Sequence, residues 1–123
     1  LTLNRLGYTR RDFLFDHLPA GCSGTREDWA KWFFSPPERQ RPTNLHVRLD
    51  GRPNQRYALL FRDYLRAHFQ AAQTYAELKR RLALYLADPQ DYPQVKDPSV
   101  DLIYFAAEAW AEVHDWKPGL SDC

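Results

Sequence analysis

Methionine is absent from all 123 residues, so Leu1 does not read as a translation start. Cysteine is nearly absent as well. Cys22 and Cys123 make no disulfide framework and offer no Cys-x-x-Cys pair to zinc. Both are expected as free thiols in a cytoplasmic chain. No apolar run approaches the ~20 residues of a membrane-spanning helix, and no apolar leader with a cleavage site opens the chain, so a membrane role is not expected. There is no P-loop, Gly-x-Gly-x-x-Gly turn, His-Glu-x-x-His pair or Gly-x-Ser-x-Gly elbow. No Asp-x-Asp pair, the usual holder of Mg²⁺ in phosphoryl transfer, lies on any strand. His17, His46, His68 and His114 are scattered without metal-ligand spacing. The sequence holds no complete catalytic set.

What is present suffices for one domain, residues 1–123. With 44% hydrophobic residues the chain can build a single core, and a domain of this size buries roughly two-thirds of its unfolded surface. The net charge of +1 conceals an asymmetry. Cations cluster before Leu82, as at Arg10-Arg11, Arg62/Arg66 and Lys79-Arg80-Arg81, and acids dominate after it. That pattern fits either a phosphate-facing surface or solvated helix faces. As a nucleic-acid patch it is too brief, and its neighbouring aromatics belong to core stripes, so nucleic acid is not an expected partner.

Along the chain, Leu3 and Leu6 read as the end of an apolar helical stripe, stopped by Gly7. A helix that ends so near residue 1 is expected to have an upstream part. Tyr8 to Phe15 reads as extended, and His17 to Asp28 as a loop containing Pro19, Gly21 and Gly24. Trp29 to Phe34 is a second strand with aromatics on both faces. Thr43 to Asp50 alternates cleanly, with Leu45, Val47 and Leu49 on one side and Asn44, His46 and Arg48 on the other. Three amphipathic helices follow. Asn54 is the expected cap of the first, whose stripe is Tyr57, Leu60, Phe61, Tyr64 and Leu65. Tyr75, Leu78, Leu82 and Leu86 mark the second. Asp97-Pro98 signals the start of the third, closed by Pro118-Gly119. Strands followed by helices give an α+β class.

Five residues are candidates for chemistry. His46 projects from the polar face of the best strand, where it could donate a hydrogen bond or carry a proton near neutral pH, or simply be a strand histidine. Arg48 stands beside it. Arg62 and Arg66, four apart, could grip a phosphate, or pair with Asp63 on the helix surface. Lys96, four residues after Tyr92, could reach a phosphate or pair with Asp97 or Asp101.

The runs Arg41-Pro-Thr-Asn-Leu-His-Val-Arg48 and Asn54-Gln-Arg-Tyr-Ala-Leu-Leu-Phe-Arg-Asp-Tyr-Leu-Arg-Ala-His68 resemble the central signature of the GrpB family. Tyr75-Ala-Glu-Leu-Lys-Arg-Arg-Leu82 and Tyr92-Pro-Gln-Val-Lys-Asp-Pro-Ser-Val-Asp-Leu-Ile103 fit too, most of all the branch fused to dephospho-CoA kinases. The likeness extends to Trp116, with Phe69 where the family usually has proline. It implies about two-thirds of a nucleotidyltransferase-like fold, with a mixed sheet of about three strands under about three helices. The family's Gly-Ser motif and Mg²⁺-binding carboxylates fall upstream of Leu1, so the chain itself carries no cofactor site and is expected to be inactive alone. His46 takes the place of a third acid, which puts conventional two-metal transfer in doubt. A nucleotide or other phosphate ligand on His46, Arg48, Arg62, Arg66 and Lys96 is one implied role. An accessory domain supporting a fused or partner kinase is the other. The sheet edge is expected to be covered by an upstream segment, a swapped strand or a dimer partner.

Overall fold

The computed structural model describes residues 2–119; Cys123 lies outside them. In chain order its elements are α1 (Thr2–Arg5), β1 (Thr9–Arg11), β2 (Lys31–Ser35), β3 (Leu45–Arg48), α2 (Pro53–Ala67), α3 (Phe69–Tyr85) and α4 (Tyr92–Val113). Two 3₁₀ turns, Arg26–Trp29 and Pro89–Asp91, complete the set. The class is α+β. The chain divides into two compact units, Leu1–Gln55 and Arg56–Cys123.

The first unit is built on a three-stranded sheet in the order β1-β2-β3. Both pairings are antiparallel, whereas the resemblance implied a mixed sheet. Arg10 faces Phe34 in the first pairing. In the second, Lys31 faces Arg48, Trp32 faces Val47, Phe33 faces His46 and Phe34 faces Leu45. The expected first strand is shorter than its sequence pattern: after β1, only Phe15 returns, in a single bridge to Ala30. Trp29 belongs not to β2 but to the 3₁₀ turn before it, where it is buried and shares the core with Phe34. Gly7, with φ +83°, ends α1 as expected, and a Cβ there would lie 3.0 Å from the Pro37 ring.

The second unit is helical. Leu59 and Leu60 of α2 and Tyr104, Ala107 and Ala111 of α4 are buried; each large apolar side chain so covered is worth about 1.5–3 kcal/mol. Tyr57 lies 4.3 Å from Tyr104, Phe61 lies 5.4 Å from Tyr75, and Tyr64 lies 6.1 Å from Trp110, ring centre to ring centre. The aromatic stripe of α2 thus meets both later helices. Glu108 takes a two-pronged bond from Arg56 and a hydroxyl from Tyr104, tying α4 to α2.

Two helix starts differ from expectation. Helix α2 begins at Pro53, whose missing N–H costs nothing in a first turn. Asn54 is therefore inside the helix, and its amide is used elsewhere. Helix α4 begins at Tyr92 with Pro93 in its first turn, so Pro98 sits within the helix rather than at its start. There it forgoes one backbone bond, and Ser99 Oγ donates to the Lys96 carbonyl at 2.6 Å alongside. The helix ends at Val113, earlier than Pro118-Gly119. Asp115 takes φ +47° and Trp116 N–H reaches back to the Ala111 carbonyl at 3.0 Å, a Schellman-type close. No helix among the described residues is long and apolar enough to cross a membrane.

Candidate functional site

Cross-strand register puts two cations directly opposite one another. Lys31 on β2 and Arg48 on β3 would repel if left alone. Asp16, from the loop after the Phe15 bridge, resolves the conflict. Its Oδ1 accepts from Lys31 Nζ at 2.8 Å, and its two oxygens take Arg48 Nε at 2.6 Å and Nη2 at 3.0 Å. All three side chains are largely covered, between 11% and 21% exposed. Asn54, 1% exposed, adds a bond from its amide to Asp16 Oδ2 at 3.1 Å and another to the Ala30 carbonyl at 2.9 Å. Its Oδ1 has no hydrogen-bond partner among the described residues. Burial pulls the Asp16 carboxyl upward, but the bonds and charges of Arg48 and Lys31 outweigh it and hold the group below its usual range.

His46 belongs to the same face, two register pairs along from Arg48. Its ring lies 4.9 Å from that of Phe33, and the side chain is half-buried. The structure therefore brings His46 and Arg48 together, and adds Lys31, Asp16 and Asn54. Two cations against one carboxylate leave the cluster with one positive charge. Sequence reading missed Asp16 because it is 32 residues from Arg48 and belongs to no periodic pattern. The signal that could have found it was the Lys31–Arg48 pairing, which demands an anion once the register is known.

Arg62, Arg66 and Lys96 belong to the second unit. Arg62 Nε donates to Asp63 Oδ1 at 2.8 Å, and Arg66 stands 4.0 Å from the same oxygen. Trp116 Nε1 donates to the other Asp63 oxygen at 3.0 Å. The Arg62 bond, against the upward pull of burial and with help from Trp116, keeps the Asp63 carboxyl below its usual range. Lys96 lies over the Tyr92 ring, 5.7 Å from its centre, as their four-residue spacing on one helix allows. On α3, Arg80 and Arg81 both turn to Glu77, so that charge run is a solvated helix face. No group of three or more His, Cys, Asp or Glu able to hold a metal ion occurs among the described residues.

A small antiparallel sheet with a tied polar cluster, followed by an aromatic-lined helical unit, defines an α+β domain of the kind the signature runs suggested. The family model described as GrpB protein matches residues 1–105, and the chain belongs to the GrpB family. It is 38% identical over 91 residues to a dephospho-CoA kinase of Mycolicibacterium paratuberculosis, covering 73% of this chain and 22% of that one. A dephospho-CoA kinase of Mycobacterium leprae is 34% identical over 90 residues, with 72% and 22% covered. The UPF0157 protein YqkA of Bacillus subtilis is 37% identical over 108 residues, covering 87% of this chain and 31% of that one. The chain thus spans between a fifth and a third of the length of these relatives.

Proposed function

We propose that this GrpB-family domain serves as an accessory domain, docking on a partner enzyme such as a dephospho-CoA kinase rather than carrying chemistry of its own. The observation that carries this reading is the open side of the sheet. Strand β3 pairs only with β2 among the described residues, so one of its edges is unfilled. On β3 and just past it Val47 and Leu49 are 37% and 64% exposed, and Trp32 of the central strand, opposite Val47, is 42% exposed. An exposed edge flanked by apolar side chains is a template for an added strand. The region shared with the dephospho-CoA kinases supports the same reading. The test mixes this chain with the M. paratuberculosis relative from which the matching segment has been removed. Higher soluble yield and kinase rate on mixing, lost with Val47→Glu, supports docking. No change in either measurement overturns it.

A second reading rests on the Lys31–Asp16–Arg48 cluster: its one surplus positive charge, with His46 on the same face, suits a nucleotide or another phosphate ligand. Nucleotidyl transfer with Mg²⁺ would be the fullest form of that reading. Calorimetric titration with ATP, CTP and pyrophosphate, each with and without Mg²⁺, separates the two. Heat that disappears in Arg48→Ala, in a variant with unchanged circular dichroism, would favour the ligand over docking.

A further inference from the structure

The charged face of the sheet carries more than the Lys31–Asp16–Arg48 cluster. In the β1–β2 pairing Arg11 stands opposite Phe33, and in the β2–β3 pairing Phe33 stands opposite His46. Residues that face each other across antiparallel strands put their side chains on one side of the sheet, about 4.8 Å apart. Arg11, Phe33 and His46 therefore form a row across β1, β2 and β3. The Lys31–Arg48 pair is the next row on that side, about 7 Å along the strands.

Phe33 is the centre of this arrangement. Its ring lies 4.9 Å from that of His46 and 5.7 Å from that of Phe13, which meets it at 75°, and Lys31 Nζ stands 5.8 Å from its centre. Phe13 itself is 63% exposed. An exposed apolar side chain standing alone calls for no explanation. This one is held by a neighbouring ring and set beside cations, so it offers a fixed π surface in a positive field. Arg11 is exposed, and its side chain makes no ion pair among the described residues, whereas Lys31 and Arg48 are engaged by Asp16. The face thus places an open ring next to a cation with its donors unused.

Building on the phosphate reading of the Lys31–Asp16–Arg48 cluster, we propose that this face takes a nucleotide, its base stacked on Phe13 and a phosphate held by Arg11. The surplus charge of the Lys31–Arg48 row adds to the field that holds the phosphate. A simple phosphate would make no use of the ring, whereas a nucleotide presents an aromatic group and an anion together. Stacking tolerates any base, because every base has a π face. The site therefore selects nucleotides over bare phosphates without selecting among bases. Single strands are bound by successive bases on successive aromatic side chains. One open ring accommodates one base, so the ligand is a mononucleotide.

The experiment is calorimetric titration of the full chain with ATP and, separately, with inorganic tripolyphosphate, which carries a phosphate chain and no base. ATP should bind about fivefold more tightly or better. Phe13→Leu, which keeps the apolar bulk and removes the π face, should bring ATP down to the affinity of tripolyphosphate and leave tripolyphosphate unchanged. Arg11→Gln should weaken both ligands by about fivefold or more. Both side chains are exposed, so circular dichroism should stay that of the parent. Tripolyphosphate binding as tightly as ATP, or either substitution leaving ATP affinity unchanged, overturns the nucleotide assignment while the phosphate reading stands. No heat with either ligand overturns both. An oligothymidylate that binds more tightly than ATP overturns the assignment to a mononucleotide.

Discussion

Arg48 holds Asp16 with two nitrogens, at 2.6 and 3.0 Å, while Lys31 holds it from the facing strand at 2.8 Å. One carboxylate thus makes a like-charge strand pair tolerable. Its removal leaves two largely covered cations opposed, and breaking a covered ion pair from one side costs far more than deleting it whole. Asp16→Asn is expected to lose about 2–3 kcal/mol of stability. Replacing Lys31 by methionine in that background should recover part of the loss, because it removes the repulsion. Urea unfolding of the two single variants and the double one gives the coupling directly. An additive result would contradict the shared-anion account.

The same carboxylate sets an acid limit. Asp16 and Asp63 are held below their ordinary 3.8, and Glu108 below its ordinary 4.5, where the bonds of Arg56 and Tyr104 overcome the upward effect of burial. Each therefore binds a proton less readily folded than unfolded. Their contribution to stability is complete above the unfolded values and is lost as pH falls through the lower folded ones. Stability measured by urea midpoint should be level above about pH 5 and decline below about pH 4. Asp16→Asn should flatten part of that decline, and a parent curve level down to pH 2 would rule the linkage out.

These charges also mark the limit of what the sequence disclosed. The aromatic stripe of α2 and the strand at His46 were legible because both periods are local. Which side of β3 is covered was not. Alternation placed the apolar Leu45, Val47 and Leu49 together, yet Val47 and Leu49 are open and Arg48 is largely covered. A charged face can turn inward once Asp16 offsets one of its two cations and bonds to both, and that partner comes from a distant loop. Asn54 misled for a similar reason: its residue type suits a cap, but Pro53 starts the helix and the amide serves Ala30 and Asp16. In α4 the strong Asp97-Pro98 signal hid a start one turn and more earlier at Tyr92, because a proline facing open solvent can be carried inside a long helix.

Two glycines separate backbone strain from crowding. Gly7 and Gly51 both take positive φ, +83° and +75°. A Cβ at Gly51 meets nothing within 4 Å, whereas one at Gly7 meets Pro37 at 3.0 Å. Gly51→Ala should cost about 1 kcal/mol, the left-handed penalty alone. Gly7→Ala should cost about 2 kcal/mol or more, since the proline ring must also give way. Thermal unfolding of both variants checks the order, and equal losses would show that Pro37 yields freely.

Asp115 offers a change in the opposite direction. It occupies the left-handed position that ends α4, at φ +47°, where glycine avoids the steric cost of a Cβ. Its side chain gives little in return. The ion pair to Lys117 spans 3.7 Å between groups 90% and 80% exposed, where solvent and salt screen the attraction. The negative charge also lies near the negative end of the helix dipole, an unfavourable place for it. Asp115→Gly should therefore stabilise the protein by about 0.5–1 kcal/mol, even after the extra freedom glycine gives the unfolded chain. The gain should shrink with added salt in proportion to its dipole part and persist in its steric part. Urea midpoints at ~0.05 and ~1 M salt separate the two. A variant less stable than the parent at both would show that the Asp115 side chain supports the Trp116–Ala111 closure.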